Sequence, residues 1–244
     1  KSNCPIIKMS YESAEFTKIS INMCLISSIT IANKMSEICE NIGADWNEII
    51  PALKLDKRIG KDSYIIPGLG LSGGNLERDI ATTIKISQKY KIDKNLMDTF
   101  FKISNHRKDW VYKIIKNVVF PNISYPRIAI LGLSYKPNTH STKNAPSLIL
   151  LKKLKQQSLI AYDPLVNVKE IAPWCEKALS IKKAVDKSDV LIILTPWDEI
   201  KKLDIKWAAR IMNGIYFIDP FNVFEKSAIT KEGLKYYSIG TPII

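Results

Sequence analysis

A glycine-rich stretch at residues 68–73 has the residue types needed to bind a phosphate or another anion. Gly68, Gly70 and Gly73 form a GxGxxG pattern. In a dinucleotide-binding turn this pattern follows a buried strand and precedes an acidic residue about 20 positions later. Here helical segments flank the glycines and Pro67 precedes them, so we reject a dinucleotide turn. The pattern instead predicts a loop whose backbone closely approaches a ligand, ending at a helix N-terminus that favours anions.

Two polar residues interrupt an apolar helical stretch near the start of the chain. Lys18 and Asn22 are four residues apart, which places them on one face of a helix. An amide inside an apolar helix must find hydrogen-bond partners, and a lysine among apolar side chains needs a reason to be there. The pair is therefore a candidate polar site. The alternative for Lys18 is an ordinary surface lysine.

Composition argues against several other kinds of site. The four cysteines are scattered and only two histidines occur, so no metal site is expected, and the thiols should be reduced and mostly buried in a cytoplasmic protein. The net charge of +12 comes almost entirely from dispersed lysines. This pattern predicts a solvated surface that attracts small anions. We expect no nucleic acid as a partner, because nucleic-acid recognition favours arginine. The sequence shows no signal peptide and no apolar run long enough to span a bilayer, so no membrane partner is expected.

The elements that must position these residues change in character near residue 120. Residues 10–41 predict one long helix, with Ser10 as N-cap and Gly43 just after its end. The helix is apolar on most faces, which is typical of a core or a subunit interface. Further helices are predicted after an N-cap at Asp45, at 76–91 and at 94–118. We therefore expect residues 1–120 to form an all-helical domain.

Beyond residue 121 the predicted strands and helices alternate. Apolar strands at 127–134, 190–194 and 215–218 are typical of a parallel sheet buried on both faces. Shorter strands are predicted at 159–162 and 236–239, and helices at 146–156, 181–187 and 205–212. This alternation predicts a Rossmann-like, doubly wound α/β domain over residues 121–244.

Three long blocks are the most specific features of the sequence. They read AEFTKISINMCLISSITIANKMSEICENIGAD, then LDKRIG with PGLGLSGGNLERD, then ILGLSYKPNTHSTKNAPS with AYDP and DVLIILTPW. In this order they resemble the central helix, the GxGxGGSCFPKD loop and the ILGLAFKPNTDDxREAPS nucleotide-binding pattern of the UDP-glucose/GDP-mannose dehydrogenase family. The resemblance implies the central and C-terminal domains of such an enzyme. The family's NAD-binding domain is then expected upstream of Lys1.

The resemblance implies an NAD-dependent oxidation of the C6 alcohol of a UDP- or GDP-hexose, which supplies polysaccharide precursors. In the family a cysteine captures the aldehyde and forms a thioester. Lys18 and Asn22 match the residues that stabilise the oxyanion, and Asp79 matches the aspartate that assists water. Asn75 stands at the cysteine position, and its amide nitrogen is not a nucleophile. The covalent route is therefore expected to be closed, and any second oxidation would pass through a hydrate, with Asp79 or Glu77 as base.

The resemblance also implies a binding site and an assembly. Arg58 corresponds to a residue that reaches the nucleotide phosphates of a neighbouring subunit, with a loop salt bridge as its alternative. Lys136 follows the first C-terminal strand, at a strand end where ligands bind. The other expected substrate-binding residues are Tyr64, Ile65, Gly68, Gly70, Gly73 and Lys143. The long helix is expected to pair with its twin in a homodimer. For Asp79, the alternative is a first-turn carboxylate favoured only by the helix dipole.

Several positions depart from the family patterns. They are Gly74 for serine, Glu77 for proline, His140 and Ser141 for aspartates, Lys143 for arginine, and Phe221 for the arginine of a DGRN-like motif. That arginine contacts the cofactor region in the family. Two functions therefore stay open: a dehydrogenase that stops at a partial oxidation, or a non-catalytic protein that binds a sugar nucleotide or regulates. Retention of Lys18, Asn22 and Asp79 favours the enzyme. The sequence does not identify the sugar or the base.

Overall fold

A computed structural model describes residues 4–243 of the chain. The first half is built from helices, with an irregular segment at residues 56–74. Its elements are α1 (Tyr11–Ile42), α2 (Trp46–Leu55), α3 (Asn75–Lys89), α4 (Asn95–Lys108), α5 (Trp110–Ile114) and a π-helical turn (Ile115–Val119). The glycine-rich stretch forms the loop between α2 and α3. The predicted helical character of this half is confirmed.

Helix α1 begins and ends at the predicted signals. The Ser10 side chain accepts a hydrogen bond from the Ser13 N–H at 3.2 Å, and Gly43 follows the helix in the left-handed conformation at φ 83°. Such a cap satisfies backbone groups that have no partner within the helix. The N-cap at Asp45 is also confirmed, because its carboxylate accepts from the Asn47 N–H at 2.8 Å.

Only part of the apolar surface of α1 is buried in the core of this chain. Ile26, Met23 and Ile29 pack in an apolar cluster with residues of α3 and α4, whereas much of the remaining apolar surface of α1 is exposed. The buried polar residues are Asn22, Thr30, Asn33, Ser36 and Glu40, and the exposed apolar ones include Phe16, Ile21, Ile31, Met35 and Ile38. A core position is therefore confirmed for the side of α1 that carries Ile26, and a subunit interface for the exposed apolar surface stays a prediction.

A buried ion pair fixes the C-terminal half of α1. Glu40 pairs with Arg107, whose two terminal nitrogens lie 2.5 and 3.1 Å from the carboxylate oxygens, and both side chains are almost fully buried. The same carboxylate accepts from Trp110 Nε1 at 3.1 Å and from the Gly240 N–H at 2.8 Å. One side chain thus joins α1, α4, α5 and the end of the chain.

The single helix predicted over residues 94–118 is interrupted. Helix α4 ends at Lys108, and the Asp109 N–H turns back to the carbonyls of His106 and Arg107. The Asp109 carboxylate then pairs with Lys153 at 2.6 Å. The predicted helix is thus divided at Asp109, and no glycine or proline in residues 94–118 marks this point in the sequence.

The second half forms a parallel six-stranded sheet in the order β3-β2-β1-β4-β5-β6. Its elements are β1 (Arg127–Leu131), α6 (Pro146–Lys153), β2 (Ser158–Tyr162), α7 (Val168–Ile171), β3 (Glu176–Lys177), α8 (Ile181–Val185), β4 (Val190–Ile193), α9 (Asp198–Lys201), α10 (Ile205–Ile211), β5 (Tyr216–Ile218), α11 (Lys226–Lys231) and β6 (Lys235–Tyr237). This is the doubly wound strand order of a Rossmann-like fold. The predicted fold class is confirmed, although β3, α7, α9 and α11 were not predicted.

The two halves share a core on one face of the sheet. Trp110, Val111, Ile114, Ile115 and Val119 pack with apolar residues of β1, β4 and α6. The opposite face is covered by residues of α8, α10 and α11. The expected domain division near residue 120 stays a prediction.

The cysteines only partly follow the expectation of burial. Cys39 and Cys175 are buried, whereas Cys4 and Cys24 are exposed. Cys24 lies on the face of α1 that the core does not cover, which explains its exposure.

Within residues 4–243, no helix combines the length and apolarity required to cross a bilayer.

Candidate active-site cleft

A cleft of about 850 Å³ opens between α1, the start of α3 and the loop that follows β1. This position is at the carboxyl end of the sheet, where open α/β folds bind ligands. The structure brings many of the predicted site residues together here: Lys18, Asn22, Tyr64, Gly73, Asn75, Asp79 and Lys136. The cleft is large enough for a small organic ligand with several polar groups.

A chain of polar contacts crosses the cleft wall from α1 to α3. Lys18 Nζ donates to Asn22 Oδ1 at 3.3 Å, and Asn22 Nδ2 donates to Asp79 Oδ2 at 2.5 Å. Asn22 and Asp79 are buried, whereas Lys18 is exposed to the cleft. Both ends of the Asn22 amide are therefore used, which answers the need for partners inside an apolar helix. This row of contacts places the Lys18 ammonium beside the cleft and the Asp79 carboxylate behind it.

Asn75 is the first residue of α3 and lines the same cleft. Its side chain is exposed, and among residues 4–243 its amide has no hydrogen-bond partner. Asn75 precedes Asp79 by four residues, so the two lie on one face of α3. Gly74, at the N-cap position, supplies no side-chain cap. The amide of Asn75 is thus available as a donor to a bound molecule.

The glycine-rich loop is shaped mainly by packing within the protein. The Gly68 N–H donates to Asn33 Oδ1 at 2.8 Å. Gly70 has φ 71°, and a Cβ there would lie 2.4 Å from the Ser104 carbonyl oxygen. Of the three glycines in the pattern, Gly73 is the one that lines the cleft. Gly68 and Gly70 therefore shape the loop by contacting α1 and α4.

Three other predicted binding residues lie outside the cleft in the single chain. Arg58 forms a two-point pair with Asp56, at 3.0 Å from Nε and 2.5 Å from Nη2, and these bonds lower the pKa of Asp56. The Ile65 side chain is buried beside Trp46, whose Nε1 donates to the Ile65 carbonyl at 2.9 Å. The Lys143 ammonium lies where a side chain on residue 74 would be, 2.9 Å from an ideal Cβ.

Some cleft residues were missed from the sequence. Tyr135, Ser72 and Arg78 also line it. Each of these residues is next to a predicted site residue in the sequence, and that adjacency was the available signal. Phe221 instead packs its ring partly buried against the sheet core, so it contributes no polar group to the cleft.

Two aspartates at strand ends have structural roles. Asp163, after β2, accepts from the Leu133 N–H at 2.6 Å and from Trp197 Nε1 at 3.2 Å. Asp219, after β5, accepts from the Val223 N–H at 2.6 Å and from the Tyr236 hydroxyl at 2.8 Å. Burial raises the pKa of Asp219. These carboxylates hold the carboxyl edge of the sheet together.

Metal chemistry finds no support in the described part of the chain. Residues 4–243 contain no cluster of three or more histidine, cysteine, aspartate or glutamate side chains arranged to hold an ion. The site therefore consists of the Lys18–Asn22–Asp79 chain, the free Asn75 amide and the Lys136 side chain.

The fold is a Rossmann-like parallel sheet joined to a helical layer, with a polar cleft at the carboxyl end of the sheet. Comparison with known families specifies it further. Residues 12–106 match the UDP-glucose/GDP-mannose dehydrogenase family, central domain, and residues 129–226 match the UDP binding domain of the same family. The chain belongs to the UDP-glucose/GDP-mannose dehydrogenase family.

Individual relatives support this assignment. The UDP-glucose 6-dehydrogenase of Rhizobium meliloti is 26% identical over 242 residues, covering 98% of this chain and 55% of that protein. The UDP-glucose 6-dehydrogenase YwqF of Bacillus subtilis is 30% identical over 241 residues, covering 97% and 54%. The chain therefore spans about half the length of the curated relatives it matches.

Solved structures show the same fold. A UDP-glucose dehydrogenase from Pyrobaculum islandicum superposes with a TM-score of 0.81 at 20% identity, over 98% of this chain and 54% of that one. An NDP-N-acetyl-D-galactosaminuronic acid dehydrogenase from Methanosarcina mazei gives 0.82 at 20% identity, over 97% and 52%. The arrangement of a helical layer on a parallel sheet is thus shared with both.

Proposed function

We propose that this chain is the central and nucleotide-binding part of a nucleotide-sugar 6-dehydrogenase that oxidises the C6 alcohol of a UDP- or GDP-hexose with NAD. The observation that carries this proposal is the Lys18–Asn22–Asp79 chain beside Asn75 in the cleft. The relatives named UDP-glucose 6-dehydrogenase make UDP-glucose the first substrate to test. The cytoplasmic location expected from the sequence stays a prediction.

The sheet of this chain does not fit NAD. A dinucleotide turn needs several glycines after the first strand and a free acidic residue after the second. Here Gly132 is the one glycine in ILGLSY, and Asp163 is already bonded to backbone N–H groups. NAD is therefore assigned to a domain outside this chain.

Lys18 and Asn75 supply the donors at the reacting oxygen. In the proposed mechanism, the Lys18 ammonium and the Asn75 amide face the C6 oxygen as it gains negative charge. Asn22 fixes the ammonium through its carbonyl oxygen and is itself oriented by Asp79. One donor to an oxyanion is worth about 3 kcal/mol of transition-state stabilisation. The amide forms no covalent bond, so the first product is the sugar aldehyde or its hydrate.

A second oxidation would require a base to deprotonate the hydrate, and we assign this role to Asp79. Glu77, the other candidate, does not line the cleft, and its carboxylate pairs with Lys108 Nζ at 2.7 Å and accepts from the Asn144 amide. Asp79 lines the cleft on the face of α3 that carries Asn75. Its contacts with Asn22 and, at 3.4 Å, with Arg78 Nε hold the carboxylate in place.

Nucleotide binding is testable on this chain alone. A thermal-shift panel of UDP, UDP-glucose and GDP-mannose should raise the melting temperature for the correct base, since a ligand at a hundred times its Kd adds about 2.7 kcal/mol of stability. Lys136→Ala should reduce the shift, and Lys116→Ala, on the exposed side of the π-helical turn, serves as the matched control. No shift with any of the three nucleotides would contradict the proposal.

The chemistry requires the polypeptide together with its NAD-binding domain. We expect about one NADH per sugar and an unmodified protein mass. A covalent adduct on the loop, or a thioester on one of the cysteines, would overturn the non-covalent mechanism. Nucleotide binding with no NADH from any sugar would favour the alternative, a non-catalytic binding protein. The observations behind that alternative are Asn75 in place of a thiol and the apolar Phe221.

We also propose a homodimer through α1. An apolar groove runs along the exposed face of this helix and is lined by Ile31, Met35, Ile38 and Ile42, with Arg58 at its rim. A second copy of the helix would cover this surface in a two-fold pair. Arg58 would then lie next to the partner subunit, consistent with its expected contact.

Sedimentation tests the dimer directly. Ile31→Asp should dissociate it at micromolar concentration, because a charge would be buried in the interface. Lys34→Asp changes an exposed residue of the same helix outside the groove and should leave the assembly intact. A wild-type monomer at micromolar concentration would refute the proposal.

A further inference from the structure

We propose that the loop of residues 135–144 couples nucleotide binding to the position of Asn75, with Glu77 and Asn144 as positioning residues. This inference rests on the proposed nucleotide-binding function. The two positioning residues, Glu77 and Asn144, neither line the cleft nor take part in the proposed chemistry. The loop touches the cleft at one end and holds the glycine-rich loop at the other.

Residues 143 and 144, at the end of the loop, form hydrogen bonds with both the N–H and the carbonyl of Gly73. The Gly73 N–H donates to the Lys143 carbonyl at 3.0 Å, and the Asn144 side-chain amide donates to the Gly73 carbonyl at 2.9 Å. Gly73 adopts φ 78°, and the Tyr135 ring lies 2.9 Å from where its Cβ would be. Gly73 is therefore enclosed by both ends of the 135–144 loop.

A second contact fixes the first turn of α3. The Glu77 carboxylate accepts from the same Asn144 amide and pairs with Lys108 Nζ at 2.7 Å. The side chains of Lys108 and Glu77 are only 5% and 16% exposed, so this pair is little screened by solvent. Asn75 lies two residues from both Gly73 and Glu77. Its position is thus set from both sides by contacts that meet at Asn144.

The opposite end of the loop is at the cleft. Tyr135 and Lys136 line it, and the loop is closed on itself by a bond from the Tyr135 N–H to the Ser141 carbonyl at 3.0 Å. Ser134 Oγ also donates to the Lys136 carbonyl at 2.9 Å. The Tyr135–Ser141 bond joins the cleft end of the loop to its second half. A nucleotide held by Lys136 therefore restricts Gly73 and, through it, Asn75.

Hydrogen exchange with and without UDP tests this coupling. UDP should slow the exchange of amides 72–79 in the wild-type chain. Asn144→Gly keeps the left-handed backbone at φ 53° and removes the amide together with its two hydrogen bonds, to Gly73 and Glu77. UDP should still bind, while the protection of 72–79 falls at least roughly fivefold. Asn138→Gly is the matched control, because Asn138 is in the same loop at φ 62° and contacts neither Gly73 nor Glu77.

A second variant covers the contact from the helix. Glu77→Gln removes the charge that holds Lys108 and should lose the same protection with UDP still bound. Equal protection in wild type, Asn144→Gly and Glu77→Gln, or UDP binding with no change at 72–79, would overturn the coupling alone. Failure of wild-type protein to bind UDP in this experiment would instead refute the proposed function, and the coupling with it.

Discussion

Glu40→Gln is expected to destabilise the chain far more than its single-atom change suggests. Glu40 accepts four hydrogen bonds, from both terminal nitrogens of Arg107, from Trp110 and from the Gly240 N–H. Removing one partner of a buried ion pair typically costs about 3–5 kcal/mol, because the remaining charge is left buried. Glutamine keeps one carbonyl acceptor, so we expect about 3 kcal/mol. That is a large part of the roughly 5–15 kcal/mol that stabilises a native protein.

Urea unfolding followed by far-UV circular dichroism measures this loss. The matched control is Glu37→Gln, three residues earlier on α1, whose carboxylate pairs with the half-exposed His106. An exposed pair of this kind contributes less than about 1 kcal/mol. A Glu40→Gln variant within about 1 kcal/mol of wild type, or equal losses in the two variants, would refute the reasoning about burial.

Other predictions concern packing and thiol chemistry. Gly70→Ala should strongly destabilise the folded chain, because the new Cβ would lie 2.4 Å from the Ser104 carbonyl oxygen. Gly60→Ala is the control, because Gly60 has a similar positive φ but open space around it. Thermal melts of the two variants therefore separate the effect of the clash from that of backbone strain alone. Burial raises the pKa of the Cys175 thiol to about 12, so almost no reactive thiolate forms at pH 8. Alkylation followed by mass spectrometry should modify the exposed Cys4 quickly and Cys175 only after denaturation. Rapid native labelling of Cys175 would contradict the buried position.

The parts of the fold that were predicted from the sequence depend on local signals. Ser10 and Gly43 mark the ends of α1 because capping depends on residues within one turn. Continuous apolar runs identify β1, β4 and β5 because buried parallel strands have no polar face. The break at Asp109 is not marked by a glycine or proline, and the Asp109–Lys153 pair joins residues 44 positions apart, so no local pattern predicts either feature.

The candidate site divides in the same way. The common helix face of Lys18 and Asn22 follows from their spacing, but the Asn22–Asp79 bond joins residues 57 positions apart. The resemblance to the family supplied Asp79 as a candidate, and the structure supplied its contact. Glu77 illustrates the limit, since the sequence offered it as a possible base, whereas its partners in the structure are Lys108 and Asn144. Those partners come from separate elements that meet only in the folded chain.

The bond between Glu40 and Gly240 has a consequence for synthesis of the chain. The two residues are 200 positions apart, and ribosomes add about 5–20 residues each second. Roughly 10–40 s therefore separate their appearance in the growing chain. During that interval α1 can form its local backbone bonds, but one donor to its buried carboxylate is still missing. Closing so long a loop is also slow, because its entropy is lost before the contact forms. The contact that fixes Glu40 is therefore completed only after the last strand, β6, has been synthesised.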